Sequence, residues 1–314
     1  MKKAVLFTML FAPAALIAQQ ATTDTPSGTV PTSVNFPIER VQKPTAADLY
    51  CAGFVSKPLA SKDKYVSGGL ESPHTTRFAN GEAIYLNGKG YEAGQEYTVV
   101  RELQDPNRYE LFKGQWAALK AAGQPYAEVA KVKVIDTRNK MAVAQIELSC
   151  DPVLPGDFLV PFVEKSAISF HPPIRFDRFA PANGQPSGRI VLAQDFDSEL
   201  GAGGKVYLNI GANQGLKVGD YMRIVRTSTA VVNDAVDSLS FKSSANEPTQ
   251  TMQADVDPKF MKRTGGPAVH SEDMPRRAVA ELVLVGTTPS TATGMVVLSM
   301  EPAHVGDTVE LDQQ

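Results

Sequence analysis

The chain has 314 residues, 31 basic against 34 acidic, with four histidines and two cysteines. That near-balance leaves no broad electrostatic footprint for nucleic acid or an anionic lipid surface, and the length allows two domains of ordinary size, each able to bury a core. Met1-Lys2-Lys3 and the apolar run up to Ala18 have the basic start and hydrophobic stretch of a secretory signal peptide, residues 1–18. No cysteine follows that run, so a lipid anchor there has no support. No later stretch offers the roughly 20 apolar residues that cross a bilayer. Losing Lys2 and Lys3 with the leader takes 31 basic residues to 29 against 34 acidic, a net charge of −5. The expectation is an exported protein, periplasmic or outer-membrane-associated, with no transmembrane segment in the mature chain.

Residues 19–46, rich in Thr, Pro, Ser and Gln and without a sustained apolar period, read as a flexible linker. A first unit, residues 47–163, opens with an apolar stretch at 48–55 that reads as a strand. Strands follow at 83–87 and 96–101, then a short helix over 113–123 stopped by Gly123, with Trp116 and Leu119 expected to face the barrel. Residues 129–134 and 142–148 alternate apolar and polar side chains, so each should bury one face. A last strand is expected at 158–162. Residues 164–187, with His171-Pro172-Pro173 and Pro181 to Pro186, form a proline-stiffened linker to a second unit, residues 188–314. That unit carries a polar insertion at 227–276, either disordered or a contact arm.

The two units repeat each other. Gly204 to Arg226 reads as strand, glycine-rich turn and strand closing on Val-Arg, and 81–101 is a weaker copy. Residues 130–157 match 280–307 without gaps at an offset of 150, with identities at Ala130/Ala280, Ser149/Ser299, Pro152/Pro302, Gly156/Gly306 and Asp157/Asp307. A fainter match sets Gly53 against Gly188. The fold class expected is all-β: two tandem small antiparallel, SH3-like β-barrels from an internal duplication, with short helices.

Chemistry is scarce. His74, His171, His270 and His304 lack metal-ligand spacing and read as exposed loop residues, so no metal site is expected. No nucleophile elbow, Walker loop or dinucleotide fingerprint sits in a suitable context, so neither catalytic nor cofactor-binding residues are assigned. The glycine-rich stretches 67–69 and 201–204 are loops, and Lys262-Arg263 and Arg276-Arg277 read as solvated charge. Gly156-Asp157, Gly219-Asp220 and Gly306-Asp307 recur at turn positions, where Asp serves as a structural cap through its own backbone. Cys51 and Cys150 can pair as a disulfide in an oxidising compartment, the alternative being two buried thiols.

Residues 205–211 with Gly215-Leu216-Lys217-Val218-Gly219-Asp220, and the pair ending Val305-Gly306-Asp307-Thr308-Val309, resemble the C-terminal β-barrel domain of flagellar assembly protein T. That domain is also found in the LysM-containing protein around the type IV pilus secretin. The likeness covers most of 188–311 and, more loosely, 50–162; no LysM module is present, and the 227–276 insertion departs from a compact copy. The resemblance implies a non-enzymatic cell-envelope scaffold or accessory protein docking on a secretin, type IV pilus or flagellar ring assembly. Two alternatives stand beside it: a peptidoglycan- or polysaccharide-binding protein, and an enzyme with a site between the barrels.

Overall fold

Alternation along the chain sets which side chains turn inward. In 129–134, Val132 and Val134 are buried while Lys131 and Lys133 meet solvent, as one-sided burial of an antiparallel strand requires. The computed structural model describes residues 40–70, 75–138, 140–170, 176–227 and 275–312. The first half contains β1 (Arg40–Val41), α1 (Ala46–Tyr50), β2 (Phe54–Ser56), β3 (Tyr65–Gly69), β4 (Ala83–Asn87), β5 (Glu96–Glu102), α2 (Gln115–Ala122), β6 (Gln124–Asp136), β7 (Ala142–Ser149) and β8 (Phe158–Pro161). The second half contains β9 (Ser187–Ala193), β10 (Glu199–Leu200), β11 (Lys205–Leu208), β12 (Tyr221–Arg226), β13 (Arg277–Thr287), β14 (Ala292–Ser299), β15 (Ala303–His304) and β16 (Thr308–Leu311).

Two closed six-stranded antiparallel barrels result. The first runs β6-β5-β8-β3-β4-β7 and closes β7 on β6; the second runs β13-β12-β16-β9-β11-β14 and closes β14 on β13. Strand for strand the order is the same. The register repeats as well: Ala130 faces Ser149 and Ala280 faces Ser299, and the bulges at Lys131/Val132 and Val134/Asp136 recur at Glu281/Leu282 and Leu284/Gly286. The β3–β4 ladder skips Ser67 just as the β9–β11 ladder skips Val191. Bulges sharpen the bend that closing so few strands demands. Side chains fill both interiors, Ile84, Leu86, Val99 and Ile146 in the first barrel and Leu208, Ile224, Leu282 and Val296 in the second.

The copies differ on their outer walls. Glu96, Lys133, Gln145 and Glu147 of the first barrel occupy the positions that Tyr221, Val283, Met295 and Val297 hold in the second. The apolar set is buried under Leu49, Ala52, Ile168 and Phe170. Burying such a side chain is worth about 1.5–3 kcal/mol, so the wall that lost its charges is the one that gained a cover.

That cover revises several expectations. Residues 48–55 are not one strand: Thr45 and Asp48 form a capping box that starts α1, and only Phe54–Ser56 is extended. The Thr45-x-x-Asp48 signature competes with the apolar run and wins locally. Arg40–Val41, inside the expected flexible linker, add to β14. The segment ahead of the first barrel thus lies on the second, because its apolar residues find a matching wall there. Gly188 sits in β9, whose counterpart is β3, whereas Gly53 precedes a strand outside the closed ring, so these two glycines are not equivalent. Trp116 is 49% exposed. The buried stripe of α2 is Gln115, Ala118, Leu119 and Ala122, and it packs on the second barrel rather than its own. Trp116 falls just off that stripe.

Candidate functional surfaces

Four corners carry the recurrent glycines. Gly94, Gly156, Gly219 and Gly306 take φ of 89°, 96°, 95° and 112°, a region that only glycine enters without strain. The side chain after each glycine caps the turn three residues back. Asp157 accepts from the Leu154 N–H, Asp220 from Lys217 and Asp307 from His304, each at 2.8 Å, and Gln95 from Glu92 at 3.3 Å.

Two of these aspartates also take a bidentate arginine. Arg101 Nε and Nη2 donate to Asp157 at 2.8 Å each and Nη2 to the Pro152 carbonyl at 2.8 Å. Arg226 repeats the set with Asp307, at 3.0 and 2.8 Å, and Pro302, at 2.7 Å. Planar guanidinium suits such fork-like pairing. The brace ties the end of β5 or β12 to the corner before β8 or β16. The recurrence of Val-Arg at 100–101 and 225–226 was the available signal; a charged residue repeated in two copies, in step with a repeated acid, marks a pair. Around the second brace, Glu301 receives Arg277 and lies beside Arg178 and Arg226. Burial pushes its carboxyl up, but these arginines outweigh it and hold it below the usual range.

Cys51 and Cys150 are joined in a disulfide with their Cα atoms 5.5 Å apart. The bond fixes the seam between the barrels. On one side of the seam, Gln194 Nε2 donates to the Cys51 carbonyl, the Tyr207 hydroxyl to Ala52, Thr293 Oγ1 to Gly53 and Thr291 Oγ1 to Val55, over 2.7–3.3 Å. On the other, the Gly53 N–H donates to Glu128 at 3.1 Å, and Lys165 Nζ reaches both Glu128, at 2.6 Å, and the Leu49 carbonyl, at 2.8 Å. Burial pushes the Glu128 carboxyl up despite Lys165. Burial likewise pushes the Tyr207 hydroxyl up, with the charges of Glu128 and Asp195 adding to it. Gly53 has no room for a side chain: a Cβ would lie 2.3 Å from the Tyr207 oxygen.

His304 is buried in β15, with Nε2 3.7 Å from Glu199, so it is not the exposed loop residue expected; the corner it sits on is covered from the first barrel. His74, His171 and His270 lie outside the described residues, as do His171-Pro172-Pro173 and nearly all of the 227–276 insertion. A shallow groove of about 720 Å³ on the first barrel is lined by Lys64, Asn87, Lys89 and Lys140. A smaller one of about 210 Å³ on the second is lined by Asp195, Asp197, Glu199 and the 201–204 loop. Among the described residues no three His, Cys, Asp or Glu side chains gather as a metal site, and no helix is long and apolar enough to cross a membrane. Trp116 and Tyr109, 49% and 62% exposed, lie close in sequence, and Glu110 between them accepts from the Trp116 N–H. No family model matches the chain, and no curated protein matches it.

Proposed function

We propose that this protein is a non-enzymatic scaffold of the cell envelope, exported and then docked by its barrel surfaces on an outer-membrane secretin, type IV pilus or flagellar ring assembly. The observation that carries the reading is where the repeated acids go. Asp157 and Asp307 are spent on turn caps and arginine braces rather than presented to a cleft. Support also comes from the leader-like residues 1–18 and from a disulfide, which persists in oxidising compartments. The seam, where an enzyme would need its site, is occupied by residues 49–56 and their hydrogen bonds.

Crosslinking in intact cells followed by mass spectrometry of the purified protein tests the proposal. A ring or secretin subunit among the crosslinked peptides is the expected result; recovery of only cytoplasmic partners would sink it. The exposed Trp116 and Tyr109 favour a second reading, since exposed aromatic rings offer flat apolar faces on which sugar rings can stack. Sedimentation with purified peptidoglycan, abolished by Trp116→Ala, would shift the assignment to a cell-wall binder.

A further inference from the structure

The two barrels are joined head to tail, a connection of the first covering a corner of the second. The connection from β5 to β6, 21 residues from 103 to 123, leaves its own barrel and covers the last corner of the second. Phe112 lies over Gly306, where a Cβ would meet its ring at 3.1 Å. Arg189 stacks on that ring at 4.8 Å, and Gln115 Nε2 donates to the Val191 carbonyl at 3.1 Å. Leu111, Phe112 and Ala122 join the core cluster of the second barrel, and Val191, Val305 and Gly306 are buried there.

Among the described residues nothing covers the same corner of the first barrel. By register, Tyr65, Ser67, Pro155 and Gly156 occupy the positions of Arg189, Val191, Val305 and Gly306. Pro155 and Gly156 are exposed, Tyr65 is 36% exposed, and a Cβ on Gly156 would meet nothing within 4 Å. At the other end, the connection from β12 to β13 is the counterpart of 103–123 but has 50 residues, 227 to 276. Its stems are pinned by Arg226 on Asp307 and Arg277 on Glu301. In sequence it carries Phe260-Met261 before Lys262, as 103–123 carries Leu111-Phe112 before Lys113. Out and back, 50 residues reach up to roughly 80 Å at about 3.3 Å per residue, so length does not limit contact with another molecule.

We infer that the open Gly156 corner of the first barrel is the docking surface for a second copy of this chain, which occupies it with its 227–276 connection as 103–123 occupies the Gly306 corner. The contact is heterologous, one surface meeting a different one, so it propagates head to tail and either closes into a ring or continues as a filament.

Sedimentation velocity on the purified protein over rising concentration tests this. The expected result is mass above the monomer that grows with concentration and is lost in Ser67→Arg, in Tyr65→Glu, and in a variant whose residues 228–274 are replaced by a short turn. Arg226 and Arg277 face each other in the ladder, so such a turn can join them. Circular dichroism verifies that each variant is folded, and one folded corner variant is enough. Each defective protein keeps one intact half, so mixing a corner variant with the arm deletion should give a dimer and nothing larger. A wild type that stays monomeric throughout, folded variants that associate like wild type, or a mixture without dimer would each overturn the inference.

Discussion

At the scale of single residues, the arginine–aspartate braces separate two otherwise equal copies by burial. The two acids are similarly buried, Asp307 at 7% and Asp157 at 4% exposure, and each arginine has a second acid nearby, Glu301 for Arg226 and Asp151 for Arg101; the arginines differ, Arg226 being 7% and Arg101 25% exposed. A charge left behind in a dry site is what makes a broken pair expensive. Asp307→Ala should therefore cost about 3–5 kcal/mol, and Asp157→Ala roughly 1.5–3 kcal/mol, read as the shift in urea midpoint at constant slope. Equal losses at the two sites would show that burial is not what sets the difference. The 94–95 corner points the same way: Gln95 caps its turn as Asp220 does, but through a longer, neutral side chain.

Among the elements, α2 sits between two strands of the first barrel yet packs on the second. Its first residue, Gln115, is fully buried and satisfies two backbone groups, accepting from the Leu111 N–H at 2.7 Å and donating to the Val191 carbonyl at 3.1 Å. Gln115→Leu keeps the volume but strands both groups in an apolar surround. Each stranded group costs about 1–3 kcal/mol, so hydrogen exchange should accelerate along 103–123 and at Val191 while the β6–β7 ladder stays protected. An unchanged exchange pattern would mean that the docking of α2 does not depend on this side chain. On the outer walls of the barrels the same logic runs in reverse: Val283 and Met295 replace Lys133 and Gln145 where α1 and residues 168–170 provide cover.

For the whole molecule, the disulfide matters because of what it joins. Residues 40–52 are fastened to the second barrel through β1, the Asp48–Lys205 ion pair and Leu49, and Cys51 then fastens them to the end of β7 across 99 residues of sequence. Closing a loop of that size removes unfolded-state entropy worth about 2–4 kcal/mol in practice. Cys51→Ser with Cys150→Ser should lower the urea midpoint accordingly, and the wild type in reductant should follow the variant; a gap between the two would point to damage beyond the lost crosslink. The all-β class, the two tandem small barrels and the repeated Gly-Asp corners were legible in the sequence, because alternation, glycine corners and a 150-residue offset are local or periodic signals that survive in one dimension. Strand order was not, and residues 67–69, expected as a loop, lie in β3 inside the first ring. The seating of α1 and α2 on the second barrel, the exposure of Trp116 and the burial of His304 were decided only by the tertiary structure. Each depends on which surface of one barrel meets a segment belonging to the other, and that choice is made by apolar walls and hydrogen-bond partners far apart along the chain.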